Sequence, residues 1–88
     1  MSMISLSSLE KNVSAQIHEI IASDIFGEID HVVSRRLADL GFSKGMPLKV
    51  IAKGPFGKGP YAVRLGNKSQ FVLRGPEADK ILCQIVGE

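Results

Sequence analysis

Three side chains in this sequence, His18, His31 and Cys83, are of the types that hold transition metals or act as nucleophiles. Their spacing favours neither use. Zinc-type sites draw ligands from close repeats such as C-x-x-C or H-E-x-x-H, and the sequence contains neither. His18 beside Glu19 on a strand and Asp30 beside His31 on a helix read as surface pairs, and Cys83 in an apolar run reads as an inert core thiol. No metal and no cofactor are therefore expected; direct Fe2+ or Zn2+ sensing through His18, His31 or Cys83 is kept as an alternative.

Gly41-Phe42-Ser43-Lys44-Gly45 matches G-x-S-x-G letter for letter. A nucleophile elbow needs a strand before the serine, a helix after it, and the acid and histidine downstream. Here a helical pattern precedes Ser43, a strand pattern follows, and both histidines lie upstream. A helix cap and a turn account for the two glycines, so no catalysis is expected. The loop Gly54-Pro55-Phe56-Gly57-Lys58-Gly59-Pro60 resembles a phosphate cradle but fails on spacing. A Walker loop would need glycine where Ala52 stands and Ser or Thr where Gly59 stands, and a dinucleotide loop would need glycine at Ala62. A β-hairpin loop remains, with Phe56 at its tip either as an exposed anchor for a partner or as a cover for one end of the fold.

The net charge of +2 conceals an uneven distribution. Residues 1–40 carry three basic and six acidic side chains, residues 41–88 eight basic and three acidic, and no acid occurs between Gly41 and Pro76. That polarity suits an anionic partner, either nucleic acid or an acidic protein face, although lysines spaced along strands also serve solubility. Single-strand binders stack bases on exposed aromatic rings. Tyr61 and Phe71 fall on inward strand phases, so a small basic barrel binding nucleic acid is an alternative rather than the expectation.

The elements that would position these residues are small. Eighty-eight residues make one domain at most, 44% hydrophobic and 23% charged, as in folded chains rather than disordered ones. One cysteine excludes an internal disulfide and favours a reducing compartment. With no signal-peptide pattern and no apolar run of about 18 residues, a cytoplasmic location without membrane insertion is expected, peripheral to a membrane only through a partner. A single domain over residues 1–88 is expected, residues 1–12 forming a short docking segment around Leu6-Ser7-Ser8-Leu9.

Ala15 to Ala22 reads as a strand. Ile29, Val33, Leu37 and Leu40 then recur at i, i+4, i+8 and i+11 on one face of an amphipathic helix, with Glu28 and Asp30 in its first turn and Gly41 where a left-handed cap must end it. Beyond Gly41, Gly and Pro punctuate short runs of period two. Leu48, Val50 and Ala52 share one phase, as do Tyr61, Val63 and Leu65, and Phe71 and Leu73. Gly66-Asn67-Lys68 is a hairpin turn, Pro76 to Lys80 one helical turn, and Ile81 to Val86 a buried closing strand. Five short antiparallel strands with one inserted helix point to a small SH3-like or OB-like barrel.

The order of these signals resembles the FeoA family of bacterial ferrous iron uptake from about Leu6 to Val86. The resemblance is carried by L-x-x-L at Leu6–Leu9, R-L-x-x-L-G at Arg36–Gly41, the glycine at Gly45, the strand–Pro/Gly loop–strand that follows, Leu73-Arg74, and E-A-x-x-I at Glu77–Ile81. Where the family usually shows a glycine shortly after the first L-x-x-L, this chain has Asn12. The resemblance implies an SH3-like barrel with the helix between the first and second strands. It also implies a non-catalytic accessory role, docking on the cytoplasmic domain of the membrane GTPase-permease FeoB. A related fold ends some iron-dependent repressors. The surface is expected to offer a modest groove beside the inserted helix, with positive charge steering encounter and an apolar centre supplying affinity, and the residues expected to grip the partner are Arg35, Phe56, Lys58, Arg64 and Arg74.

Overall fold

The inward-facing apolar residues of the strands meet in one common interior. The computed structural model describes residues 3–55 and 59–86. Six antiparallel strands, β1 (Met3–Ser5), β2 (Ala15–Ile20), β3 (Pro47–Lys53), β4 (Tyr61–Leu65), β5 (Gln70–Leu73) and β6 (Ile81–Ile85), form one sheet in the order β1-β6-β2-β3-β4-β5. The helix α1 (Asp30–Asp39) lies between β2 and β3 in the chain, and the short helix α2 (Gly75–Asp79) between β5 and β6. The sheet wraps one apolar cluster that includes Leu6, Leu9, Ile17, Leu37, Phe42, Val50, Val63 and Ile81. Its edges, β1 and β5, do not pair with each other.

The expected five strands are thus six, and the helix follows the second strand rather than the first. The additional strand, β1, is three residues long, too short to show a period. It exists because Ile4 lies opposite Cys83 on β6, which pairs with β1 on one side and β2 on the other. The L-x-x-L docking turn is as expected: Leu6–Ser8 forms a 3-10 turn that sends both Leu6 and Leu9 into the core. Asn12 has φ +65° and donates its N–H to Val50 O at 2.8 Å. Asparagine enters this left-handed region more readily than most residues, which suits it to this turn.

Two bulges shift the phase of the strands. On β3 the register moves between Val50 and Ala52, leaving Ile51 as the extra residue, so Val50 is buried but Ala52 faces out, contrary to strict alternation. On β2 the extra residue is His18, between Ile17 opposite Cys83 and Glu19 opposite Leu82. The β4 phase is regular, with Tyr61, Val63 and Leu65 all buried. In the β4–β5 hairpin the left-handed residue is Lys68, at φ +75°, rather than Gly66 or Asn67. Lys68 N–H donates to Leu65 O and Leu65 N–H to Ser69 O, as in a three-residue loop closed by a bulge.

Helix α1 stops where expected. Gly41 has φ +112°, Phe42 N–H donates to Leu37 O and Gly41 N–H to Ala38 O, both at 3.0 Å. This paired closure satisfies two terminal carbonyls and drops the fully buried Phe42 ring under the helix. The start of the helix differs from the pattern. A 3-10 segment, Asp24–Ile29, precedes α1 and is broken at Gly27 (φ +53°, ψ −129°). Because of that break Ile29 lies outside the helical rotation, 58% exposed, and Asp30 turns inward in its place.

Asp30 meets Lys80, whose side chain is completely buried at the end of α2. The Lys80 ammonium donates to Asp30 Oδ1, and Ser23 N–H donates to the same oxygen at 3.1 Å. Lys80 Nζ also lies 5.7 Å from the centroid of the Phe26 ring, and Lys80 O accepts Ile21 N–H at 2.7 Å. The hydrogen bond from Lys80 holds the Asp30 carboxyl below its ordinary range. The end of β2, the inserted segment and the end of α2 are therefore tied together at Lys80.

Candidate functional site

A groove of about 810 Å³ runs between the inserted segment and the edge strand β5. Ile25, Phe26, Val33 and Leu40 form one wall; Phe71, Val72, Leu73 and Pro76 form the other. The floor is built from the core outward, as the Phe42 ring beneath the end of α1 packs against Phe71 with centroids 5.6 Å apart and planes tilted by 56°. Ile25 and Val72 are each 69% exposed, far more than aliphatic side chains of the core, and they face the same groove. β5 pairs only with β4, leaving its other edge without a strand among the described residues.

Arg36, Arg74 and Glu77 stand along the groove. Glu77 is occupied in capping α2, its Oε1 accepting Arg74 N–H at 3.0 Å. Neither arginine makes an ion pair among the described residues. The site thus offers apolar surface, two exposed guanidinium groups and an open strand edge, features that bind a chain segment rather than transform a small molecule.

The five expected contact residues do not converge on this groove. Arg74 lines it. Arg35 is exposed on α1 and lines neither this groove nor the basic one described below. Arg64 lies on the outer face of β4, in that second groove. Phe56 and Lys58 lie outside the described residues. Sequence reasoning missed Ile25, Phe26 and Val72; the available signal was the Ile25-Phe26 pair in a stretch belonging to neither the strand nor the helix pattern.

The metal-type side chains stay apart. Among the described residues no three His, Cys, Asp or Glu side chains gather as a ligand set. His18 Nε2 lies 3.8 Å from Glu19 Oε2, and His31 is exposed on α1. Cys83 is buried, and burial pushes its thiol up to about 12, so the thiolate that binds metal is disfavoured. No helix among the described residues is long and apolar enough to cross a membrane.

A curled six-stranded sheet with a helix inserted beside its edge strand is an SH3-like barrel. The FeoA-domain family model matches residues 4–85, and the chain belongs to the FeoA family, associated with ferrous iron transport. It is similar to Stenotrophomonas maltophilia FeoA, solved with zinc and described as a prokaryotic SH3 domain protein suggested to activate ferrous iron transport. Identity is 33%, TM-score 0.77, covering 92% of this chain and 89% of that one. A FeoA-like protein from Clostridium acetobutylicum is 27% identical with TM-score 0.77, covering 100% and 92% of the two chains. A manganese-dependent transcriptional repressor shares the fold at 20% identity and TM-score 0.78, covering 98% of this chain and 38% of the repressor. No curated protein sequence matches the chain.

Proposed function

We propose that the protein is a cytoplasmic, non-catalytic accessory factor of ferrous iron uptake that docks on the cytoplasmic part of an FeoB-type GTPase-permease and reaches the membrane only through it. The observation that carries this reading is the groove between α1 and β5: exposed Ile25 and Val72 at its mouth, Arg36 and Arg74 beside it, and along it a strand edge unpaired among the described residues. An apolar segment of the permease fills the groove, its backbone extends the sheet along β5, and the two arginines, with Arg35 beside Arg36 on α1, steer acidic neighbours into place. Phe56 and Lys58 are proposed to extend this contact from the β3–β4 loop.

The test is calorimetric titration of the permease cytoplasmic domain with the parent protein and with Val72→Asp/Arg74→Glu. Both positions are exposed, so the variant should keep its circular dichroism and melting point while affinity falls at least about 30-fold, the equivalent of about 2 kcal/mol from a contact centre. Unchanged affinity with unchanged folding refutes the placement of the contact.

A further inference from the structure

A second groove, of about 640 Å³, lies across the β2–β5 part of the sheet and shares no lining residue with the first. Its floor is apolar, from Ala15, Pro47, Leu48, Leu65 and Val86. Gly66 shapes one end: its N–H donates to Pro47 O at 2.7 Å, and a Cβ there would lie 3.1 Å from the Pro47 ring. Among the described residues, the charged side chains lining the groove are Lys49, Arg64 and Lys68, all exposed.

The strand register places two of these cations side by side. Lys49 on β3 is directly opposite Arg64 on β4, and Arg64 is opposite Gln70 on β5. Like charges at facing positions destabilise a sheet, and among the described residues neither Lys49 nor Arg64 makes an ion pair. Arg64 is also oriented. With the Gln70 amide turned so that its oxygen faces the guanidinium, that oxygen accepts from Arg64 Nε at 3.2 Å and Nη2 at 2.8 Å. The Nη1 side of the fork stays available for a carboxylate.

We infer that this groove is a docking site for an acidic peptide segment, which seats an apolar side chain on the Leu48–Leu65 floor and places flanking carboxylates against Lys49, Arg64 and Lys68. The volume suits one or two side chains. Nucleic acid is disfavoured because, among the described residues, no aromatic ring lines the groove to stack a base. A bilayer is disfavoured because a concave apolar floor offers it nothing that projects. The site does not depend on the α1–β5 reading.

The experiment is a titration of the 15N-labelled protein with two degenerate heptapeptide pools of equal apolar content. One flanks a central apolar residue with Asp and Glu, the other with Lys and Arg. The acidic pool should shift the amide signals of Lys49, Arg64 to Lys68 and Gln70, weaken as salt rises, and lose at least tenfold in affinity with Arg64→Glu or Lys68→Glu, neither of which should lower the melting temperature. The Val72→Asp/Arg74→Glu variant should respond like the parent, which separates failure of this site from failure of the first. An equal response to both pools, no response to the acidic pool, or shifts confined to the α1–β5 groove overturns the inference. So does a single-stranded deoxyoligonucleotide or a phosphatidylglycerol vesicle that produces the same shifts at lower concentration.

Discussion

Gly41 is the position where the strain in this fold can be measured most directly, and two alanine variants separate its components. At φ +112° any residue with a Cβ is strained, at about 1 to 2 kcal/mol. A Cβ at Gly41 also lies 3.1 Å from Leu65 Cδ1, inside the core, where overpacking costs about 1 kcal/mol more. Gly45 has a comparable φ of +88° but nothing within 4 Å, so Gly45→Ala carries the backbone cost alone. Gly41→Ala should therefore destabilise by about 2 to 3 kcal/mol and Gly45→Ala by about 1 to 2 kcal/mol. For 88 residues total stability is about 4 to 13 kcal/mol, so both proteins still fold. Each kcal/mol lowers the midpoint of a domain this size by about 4 to 8 °C. Thermal unfolding followed by circular dichroism, with urea unfolding in parallel, reads both. Equal midpoints for the two variants remove the Leu65 contact from the account, and a Gly41→Ala midpoint within about 2 °C of the parent refutes the helix-stop reasoning.

Because the Asp30 carboxyl is held below its ordinary 3.8 by Lys80, its stabilisation is complete above that pH and is lost as pH falls through the lower folded-state value. Asp30→Asn should thus lower stability at pH 7 and flatten the acid limb of urea midpoints below about pH 4. Adding Lys80→Met should restore much of the neutral-pH loss, since the stranded buried ammonium is then gone; an equally unstable double variant contradicts the ion-pair account. Lys68→Gly should stabilise by about 1 kcal/mol in chemical denaturation by relieving φ +75°, and a loss of stability there contradicts the turn assignment. Phe42→Ala, at a fully buried ring against Phe71, should cost about 3 to 5 kcal/mol, and a melting point close to the parent's would mean that the floor of the α1–β5 groove is not packed as described.

What was legible in the sequence followed from local periodicity. The end of α1 at Gly41, the phase of Tyr61, Val63 and Leu65, the helical turn after Gly75 and the L-x-x-L dock each rest on a few neighbouring residues whose types allow little else. The features that escaped are set by distant partners. β1 is a strand because β6 lies beside it, and Ala52 faces out because Ile51 is an extra residue in a pairing that the alternation cannot reveal. Lys80 reads as one more solvated lysine, yet it is buried because Asp30, fifty positions away, meets it. Of the expected contacts, Arg74 lines the α1–β5 groove. The exposure of Val72, which marks the groove, depends on β5 being an edge strand, and edge position follows from topology.

The place of β6 governs how such a molecule acquires its shape. It lies between β1 and β2, so Met3 faces Gln84 across nearly the entire polypeptide. Joining them closes a very long loop, whose entropy must be met before the contact returns anything, and chains dominated by such distant pairings fold over roughly milliseconds to seconds. On the ribosome, the β3–β5 meander emerges with its neighbours already made and can organise early. The other half of the sheet must wait for Ile81–Ile85, leaving β2 without its β6 neighbour in nascent chains that have not reached that point.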